Sequence, residues 1–304
     1  MTARLALALL FIVPAALAYP WQTVTSRWVL GAAIAVVLIV FAWWRGQFVT
    51  TLLARRLAII GRNARKKPPA PTAADRASVL LRIESAQARE LPVALIAGYT
   101  DRYGLRCDKV RITSRDIGGR RQTWVGLTLA AADNLAALQA RSARIPLHDT
   151  ADIVGRRLSD QLRENGWTVT AIDGGQPDPV SDGAKESWRA LADDAGYVAV
   201  YGIPVHTLSQ ALDAVRAHPA QETWTAVEFG PNTVAALVAL RTAEAPGAAV
   251  PVPGLTRLGG RQRPAVDALN LFAAQRLDGH TPVSAEDVAQ LNWSAGAPEV
   301  PVRT

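Results

Sequence analysis

CDKVRITSRD (107–116) and RQTWVGLTL (121–129) flank Gly118-Gly119, and this stretch decides the fold of the larger part of the chain. Polar and apolar residues alternate in period two on both sides of the glycine pair. That pattern reads as two strands joined by a tight turn, which glycine's tolerance of positive φ permits. Toward the N-terminus, SVLLRIE (78–84) is strand-like, and ELPVALIAGYTDRYG (90–104) reads as a helix with Pro92 in its first turn and Gly104 at its end. Toward the C-terminus two helices follow. The second starts at Asp149 or Thr150, carries an apolar stripe of Val154, Leu158 and Leu162, and stops at Gly166. WTVTAI (167–172) is a strand, and GGQPDPVSDG (174–183) is a loop by its Gly, Pro and Asp content.

Further on, GYVAVYGIPV (196–205) reads as a strand and LSQALDAVRAH (208–218) as a helix. WTAVEF (224–229) and TVAALVALR (233–241) form a hairpin around Gly230-Pro231-Asn232. The order strand–helix–hairpin thus occurs twice, at 78–129 and 196–241, without residue-level identity between the copies. Strands and helices mix without regular βαβ alternation, so residues 76–245 are expected to form an α+β domain with a mixed or antiparallel sheet. From 246 to 304 the chain turns Pro-, Gly- and Ala-rich. This segment is expected to cross the surface as a tail, with short helices around 264–277 and 284–291.

The first 67 residues are of another kind. They hold nine Lys/Arg and no Asp or Glu, and they contain the two long charge-free apolar runs of the chain. Twenty-two uncharged residues separate Arg4 from Arg27, and seventeen separate Arg27 from Arg45. At about 1.5 Å rise per residue against a hydrocarbon core of roughly 30 Å, each run is about long enough to span a bilayer. Residues 1–46 are therefore read as a hairpin of two transmembrane helices. Trp21, Trp28, Trp43 and Trp44 fall near the ends of the runs, where their rings suit the headgroup layer. Gly31 and Ala35 form a small-xxx-small pair that would permit close helix approach.

Seven cations from Arg45 to Lys67 fix the topology by the positive-inside rule, placing both termini and the large domain in the cytoplasm. A second reading treats Ala16-Leu17-Ala18 as a signal-peptide cleavage site, which leaves one span and the same cytoplasmic domain. Residues 47–65 are amphipathic, with Phe48, Leu52, Leu53, Leu57 and Ile60 at helical spacing and Arg55, Arg56 and Arg62 on other faces. Such a helix either continues the second span or lies on the membrane with its cations on anionic lipid headgroups. Pro68, Pro69 and Pro71 then mark a linker, so 47–75 form a juxtamembrane segment.

Charge and chemistry exclude more than they assign. The whole-chain charge of +7 comes from the nine cations of the first 67 residues, since the remainder carries 24 basic against 26 acidic residues. That distribution opposes a nucleic-acid partner. Cys107 is the single cysteine, so no intrachain disulfide is possible, and it reads as a small apolar residue in a strand. His148, His206, His218 and His280 each stand apart from any Cys or second His at ligand spacing. The chain has no G-x-x-x-x-G-K-[ST] loop and no G-x-S-x-G elbow. Asp193-Asp194 is the nearest approach to an acidic pair, and Gly118-Gly119 and Gly259-Gly260 read as turns rather than phosphate cradles. No catalytic, cofactor-binding or metal-binding residue is assigned, and no cofactor or small-molecule substrate is expected. Trp124, Trp167, Trp188 and Trp224 read as core residues, whereas Trp293 in the tail is a candidate docking anchor.

Several long stretches carry a family resemblance: AWWRGQF (42–48), GYTDRYGLRCDKVRITSRD (98–116) and NLAALQARSARIPLHDTADIVGRRLSDQLRENGWTV (134–169), then ETWTAVEF (222–229) and GRQRPAVDALN with RLDG (260–279). In these the chain resembles the EccE membrane components of mycobacterial type VII (ESX) secretion systems, and is most similar to the branch linked to iron and zinc acquisition. The resemblance implies a multi-pass inner-membrane protein that takes part in protein secretion and transport as a non-catalytic member of a multiprotein complex. The implied partners are EccB, EccC and EccD, with EccC as the ATPase motor. The family offers no catalytic residues to carry over. The competing expectation is a membrane-tethered, transferase-like enzyme whose site is built from residues remote in sequence.

Overall fold

The computed structural model describes residues 2–17, 19, 23–41, 43–44, 47–64, 75–84, 89–142 and 145–295. The chain divides into two compact units, 1–66 and 67–304.

The first unit holds α1 (Thr2–Leu17), α2 (Val24–Phe41), a two-residue antiparallel pair of β1 (Trp43–Trp44) and β2 (Gln47–Phe48), and α3 (Val49–Ala64). α1 and α2 pack together, burying Ala15 and Ala33 beside an apolar cleft lined by Ile12, Leu30, Ile34 and Val37. The expected runs end earlier as helices than as apolar sequence. At about 1.5 Å per residue α1 is about 24 Å long and α2 about 27 Å, both short of a hydrocarbon core of roughly 30 Å. Among the described residues no helix is long and apolar enough to cross a membrane. Among the described residues a Cβ built on Gly31 meets no atom within 4 Å. Trp21, the side chains of Ala35, Trp43 and Trp44, the cations Arg45 and Arg65–Lys67, and the linker prolines lie outside the described residues.

The second unit is an α+β domain built on one antiparallel sheet. Its strands are β3 (Arg76–Glu84), β4 (Asp101–Arg102), β5 (Leu105–Ile117), β6 (Arg120–Ala130), β7 (Thr168–Ile172), β8 (Lys185–Glu186), β9 (Leu191–Asp193), β10 (Gly196–Ile203), β11 (Glu222–Gly230), β12 (Thr233–Thr242), β13 (Thr256–Arg257) and β14 (Thr281–Pro282). Its helices are α4 (Val93–Ala97), α5 (Leu135–Arg141), α6 (Leu147–Glu164), α7 (Leu208–Ala217), α8 (Gln262–Leu269) and α9 (Ala285–Ala289). The main strand order is β7-β3-β6-β5-β11-β12-β10-β9-β8, and β4, β13 and β14 pair beside β5, β10 and β12.

Both expected hairpins form. Gly118 and Gly119 take φ of 57° and 77°, and β5 pairs β6 through Ile117↔Arg120, a two-residue turn of the kind that matches strand twist. In the β11–β12 hairpin Asn232 is the left-handed residue, with φ 54°. The recurrence of strand–helix–hairpin has a structural meaning. β3 returns onto β6, β10 returns onto β12, and the two hairpins meet antiparallel at β5–β11, so the order reads the same outward from the centre.

α6 follows its apolar stripe, burying Ala151, Val154, Leu158 and Leu162 against β3 and β6 and ending at Gly166 with φ 80°. It starts at Leu147, ahead of the start expected at Asp149 or Thr150, because Pro146 supplies the N-terminal position. The helix expected over 90–104 stops at Ala97. Beyond a single 3₁₀ turn, Asp101–Arg102 pair with Leu105–Arg106, and strand pairing takes over from the helix ladder.

One face of the sheet packs under α4, α6 and α7, with Ile112, Leu127, Leu158 and Leu212 in its core. The other face carries Trp124, Val200, Trp224 and Leu237, covered by α8 and residues 258–277. The segment after 245 therefore does not run across the surface as expected. Val252, Leu255, Leu269, Leu277 and Trp293 are buried, because a sheet whose β11 is buried along its whole length needs cover on both faces.

Candidate functional site

The densest group of ionisable side chains lies on the face covered by the C-terminal segment. Lys109 and Arg111 stand two residues apart on β5, so they share one face, and Glu228 on β11 sits opposite Arg111 in the register. All three are buried, Glu228 completely. Arg111 donates to Glu228 Oε2 from Nε at 2.8 Å and from Nη2 at 2.6 Å. Its remaining donors reach the carbonyls of Ala268 at 2.5 Å, Asn270 at 3.3 Å and Gln275 at 3.1 Å. Lys109 Nζ donates to the carbonyls of Ala273 at 2.5 Å and Gln275 at 2.6 Å, and lies 4.0 Å from Glu228. Glu228 Oε1 accepts from the Leu277 N–H and from His280 Nε2, both at 3.0 Å. At the rim, Arg276 donates to the Asp108 carbonyl at 2.6 Å and Arg76 to that of Ala274 at 3.2 Å.

Electrostatics follow from that enclosure. Burial alone would raise the Glu228 carboxyl, but the His280 hydrogen bond and the Arg111 and Lys109 charges outweigh it and hold it down to about 2. Burial and the neighbouring guanidinium of Arg111 push the Lys109 ammonium down to about 7, against the pull of Glu228 and Asp108. Perturbed groups of this kind often mark active sites. Here their donors and acceptors are engaged by main-chain groups of residues 268–277, so the cluster clasps the chain's own covering segment.

A second cluster lies on the same face. Arg241 donates to both carboxylate oxygens of Asp193, at 2.6 and 3.1 Å, and to Glu222 at 3.0 Å. Glu222 also accepts from Arg115 at 2.5 Å and from the indole of Trp224 at 2.8 Å. Trp224 stacks on Trp124, with ring centroids 5.9 Å apart. These are the expected core tryptophans, and Trp167 is buried as well. Trp293 is not a surface anchor: its ring is buried and its Nε1 donates to Ser114 Oγ at 2.9 Å.

The other residues singled out from sequence do not converge. Cys107 is buried in β5, and burial, aided by Asp108, pushes its thiol up to about 12, far from a reactive thiolate. His148 and His206 are exposed and His218 is half-buried, and among the described residues His280 alone of the four bonds to Glu228. Asp193 is held by Arg241. Gly259 lets the backbone pass Trp188, whose Nε1 would lie 2.8 Å from an added Cβ. Among the described residues no group of three or more His, Cys, Asp or Glu could hold a metal ion. A cleft of about 720 Å³ between residues 203–210 and 279–291 has His206 and Asp287 as its ionisable lining.

A sheet covered on both faces, whose densest polar cluster fastens its own C-terminal segment, has the design of a scaffold that presents surfaces. Residues 117–203 match the family model described as "Putative type VII ESX secretion system translocon, EccE". The chain is 54% identical over 285 residues to "ESX-3 secretion system protein EccE3" of Mycolicibacterium smegmatis, covering 92% of this chain and 91% of that protein. It is 45% identical over 313 residues to the protein of the same name from Mycobacterium tuberculosis, covering 98% of this chain and 95% of that one. The chain belongs to the EccE family, components of type VII (ESX) secretion systems. ESX-3 is the branch to which the sequence resemblance pointed.

Proposed function

We propose that the chain is a non-catalytic structural subunit of a type VII secretion inner-membrane complex, needed for assembly or stability of the translocon alongside EccB, EccC and EccD. The observation that carries this reading is the whole-chain likeness to ESX-3 components. The enclosure of the Lys109–Glu228 cluster supports it, since a substrate has no route to those groups while residues 268–277 cover them. The cleft beside His206 offers one carboxylate, where a transferase-like site would need convergent ones.

The same proposal places residues 1–46 in the membrane as a two-span hairpin, with both termini and the second unit cytoplasmic. Apolar side chains on the outer faces of α1 and α2 support it, with Leu10 66%, Leu17 80% and Trp28 75% exposed. On α3, Leu53, Leu57 and Ile60 are exposed and recur at i, i+4 and i+7, beside the arginines at 55, 56 and 62. That arrangement suits a helix lying on anionic lipid headgroups. Membranes solubilised in mild detergent should yield the chain together with EccB, EccC and EccD, identified by mass spectrometry. Deletion of residues 1–46 should abolish that recovery. A chain recovered without those subunits refutes the reading. Strong labelling of a cysteine placed at 70–75 by an impermeant thiol reagent on intact spheroplasts refutes the topology.

A further inference from the structure

The turn between β4 and β5 is built around a residue that its backbone disfavours. Tyr103 and Gly104 are its two central residues, with φ of 57° and 71°, and the flanking pairs are Arg102↔Leu105 and Asp101↔Arg106. Two-residue turns with both φ positive favour Asn, Asp or Gly at the first position. A bulky aromatic there is an outlier of the kind that clusters at functional sites.

Tyr103 is nevertheless 52% exposed, so burial of an apolar core does not explain it. It is held in place from several sides. Gln161 on α6 accepts a hydrogen bond from the Tyr99 hydroxyl at 2.8 Å and donates to the Tyr103 hydroxyl at 3.1 Å. Tyr99 meets the Tyr103 ring edge-on at 6.3 Å. The guanidinium carbons of Arg102 and Arg157 lie 5.2 and 4.9 Å from the ring centroid. Among the described residues neither arginine has a carboxylate within 4 Å, whereas the nearby Arg106 and Arg163 pair with Asp101 and Asp160.

We propose that Tyr103, Arg102 and Arg157 form a preorganised docking anchor for an acidic segment of a partner protein. A rigid exposed tyrosine flanked by two uncommitted guanidiniums has the composition of an interface hot spot, and the guanidiniums would take carboxylates bidentately. The exposed carboxylates of Asp101 and Asp160 at the rim repel a continuous polyanion such as a lipid surface or nucleic acid, and favour a short acidic protein segment that sets its carboxylates on the two guanidiniums. The proposal rests on the subunit reading above and adds to it the surface and the chemistry of what docks there.

The test uses the full chain in its native membranes, with the photo-crosslinking replacement Tyr103→p-benzoylphenylalanine. A protein adduct is expected whose crosslinked peptide carries net negative charge, and its yield should fall at least tenfold on adding Arg102→Glu and Arg157→Glu. Adducts confined to lipid or nucleic acid, a neutral or basic peptide, or a yield indifferent to charge reversal would overturn the proposal. So would the absence of any adduct. If the chain then still co-purifies with the other secretion subunits, the subunit reading stands; if it does not, that reading falls as well. Tyr103→Asn supplies the second arm, because Asn suits the turn. It should melt at or above the temperature of the natural chain while retaining at most a tenth of the crosslink-identified partner. A lower melting temperature with the partner fully retained would make the ring a structural strut and sink the proposal.

Discussion

Glu228→Gln should cost the fold about as much as any single change on the covered sheet face. The natural carboxylate is fully buried, accepts two hydrogen bonds from Arg111, and lies 4.0 Å from the Lys109 ammonium. A glutamine keeps the size and one acceptor for the Leu277 N–H but leaves the buried Arg111 guanidinium, and Lys109 where it is protonated, without a counter-charge. The carboxyl is held at about 2 against an ordinary 4.5, which at 1.36 kcal/mol per unit corresponds to roughly 3 kcal/mol. Breaking a buried pair by removing one partner costs about 3–5 kcal/mol, in agreement. For a unit of this size each kcal/mol moves the melting temperature by about 2–4 °C, so a fall of about 6–12 °C is expected. Thermal unfolding of the full chain in mild detergent at pH 7, followed by tryptophan fluorescence, measures it. Limited trypsin digestion should show faster cleavage after Arg276, because the clasp on residues 268–277 is loosened. A loss below about 1 kcal/mol would refute the argument that the cation pair depends on this carboxylate.

The pH dependence separates the two perturbed groups. The Glu228 contribution is complete above about 4.5 and is lost as pH falls toward 2, whereas Lys109, held at about 7 against 10.5, makes stability rise as pH climbs from 7 toward 10.5. Lys109→Met should therefore flatten the alkaline rise in melting temperature between pH 7 and 10 relative to the natural chain, and an unchanged slope would contradict the buried-ammonium assignment. At Gly155 an added Cβ would lie 2.6 Å from Val79 Cγ1 and 3.3 Å from its Cβ. Gly155→Ala is thus expected to destabilise by about 1–2 kcal/mol, net of a helix-propensity gain of about 1 kcal/mol. Val79→Ala in the same chain should recover part of the loss, and strict additivity in chemical denaturation would show that the α6–β3 approach is not the cause.

The sequence disclosed those elements whose signals are local. The Gly118-Gly119 and Pro231-Asn232 turns, the stripe on α6 and the alternation in β5 and β6 each depend on neighbours within one element. β4 escaped notice because a tyrosine gives no warning of positive φ. β8, β9, β13 and β14 are two or three residues long and exist only through pairing with distant chain. Alternation also placed Lys109, Arg111 and Arg115 on one face of β5, a pattern that ordinarily marks a solvated side. What seals that face is a segment more than 150 residues later, and nothing in its Pro-, Gly- and Ala-rich composition advertises the main-chain carbonyls it offers. The candidate cluster was unreadable for the same reason: Arg111 and Glu228 are brought together by the β5–β11 register, which no periodicity encodes.

Dependence on the final segment has a consequence in time. Residues 258–277 close one face of the sheet, and Trp293 reaches back to Ser114 on the other. During synthesis the sheet can assemble through β12 yet must wait with Trp124 and Trp224 uncovered until the last fifth of the chain leaves the ribosome. A message cut short before residue 258 would thus yield a sheet with both tryptophans bare, a sticky product recognisable to chaperones and proteases. In this architecture the cover formed by residues 258–277 marks a finished sheet.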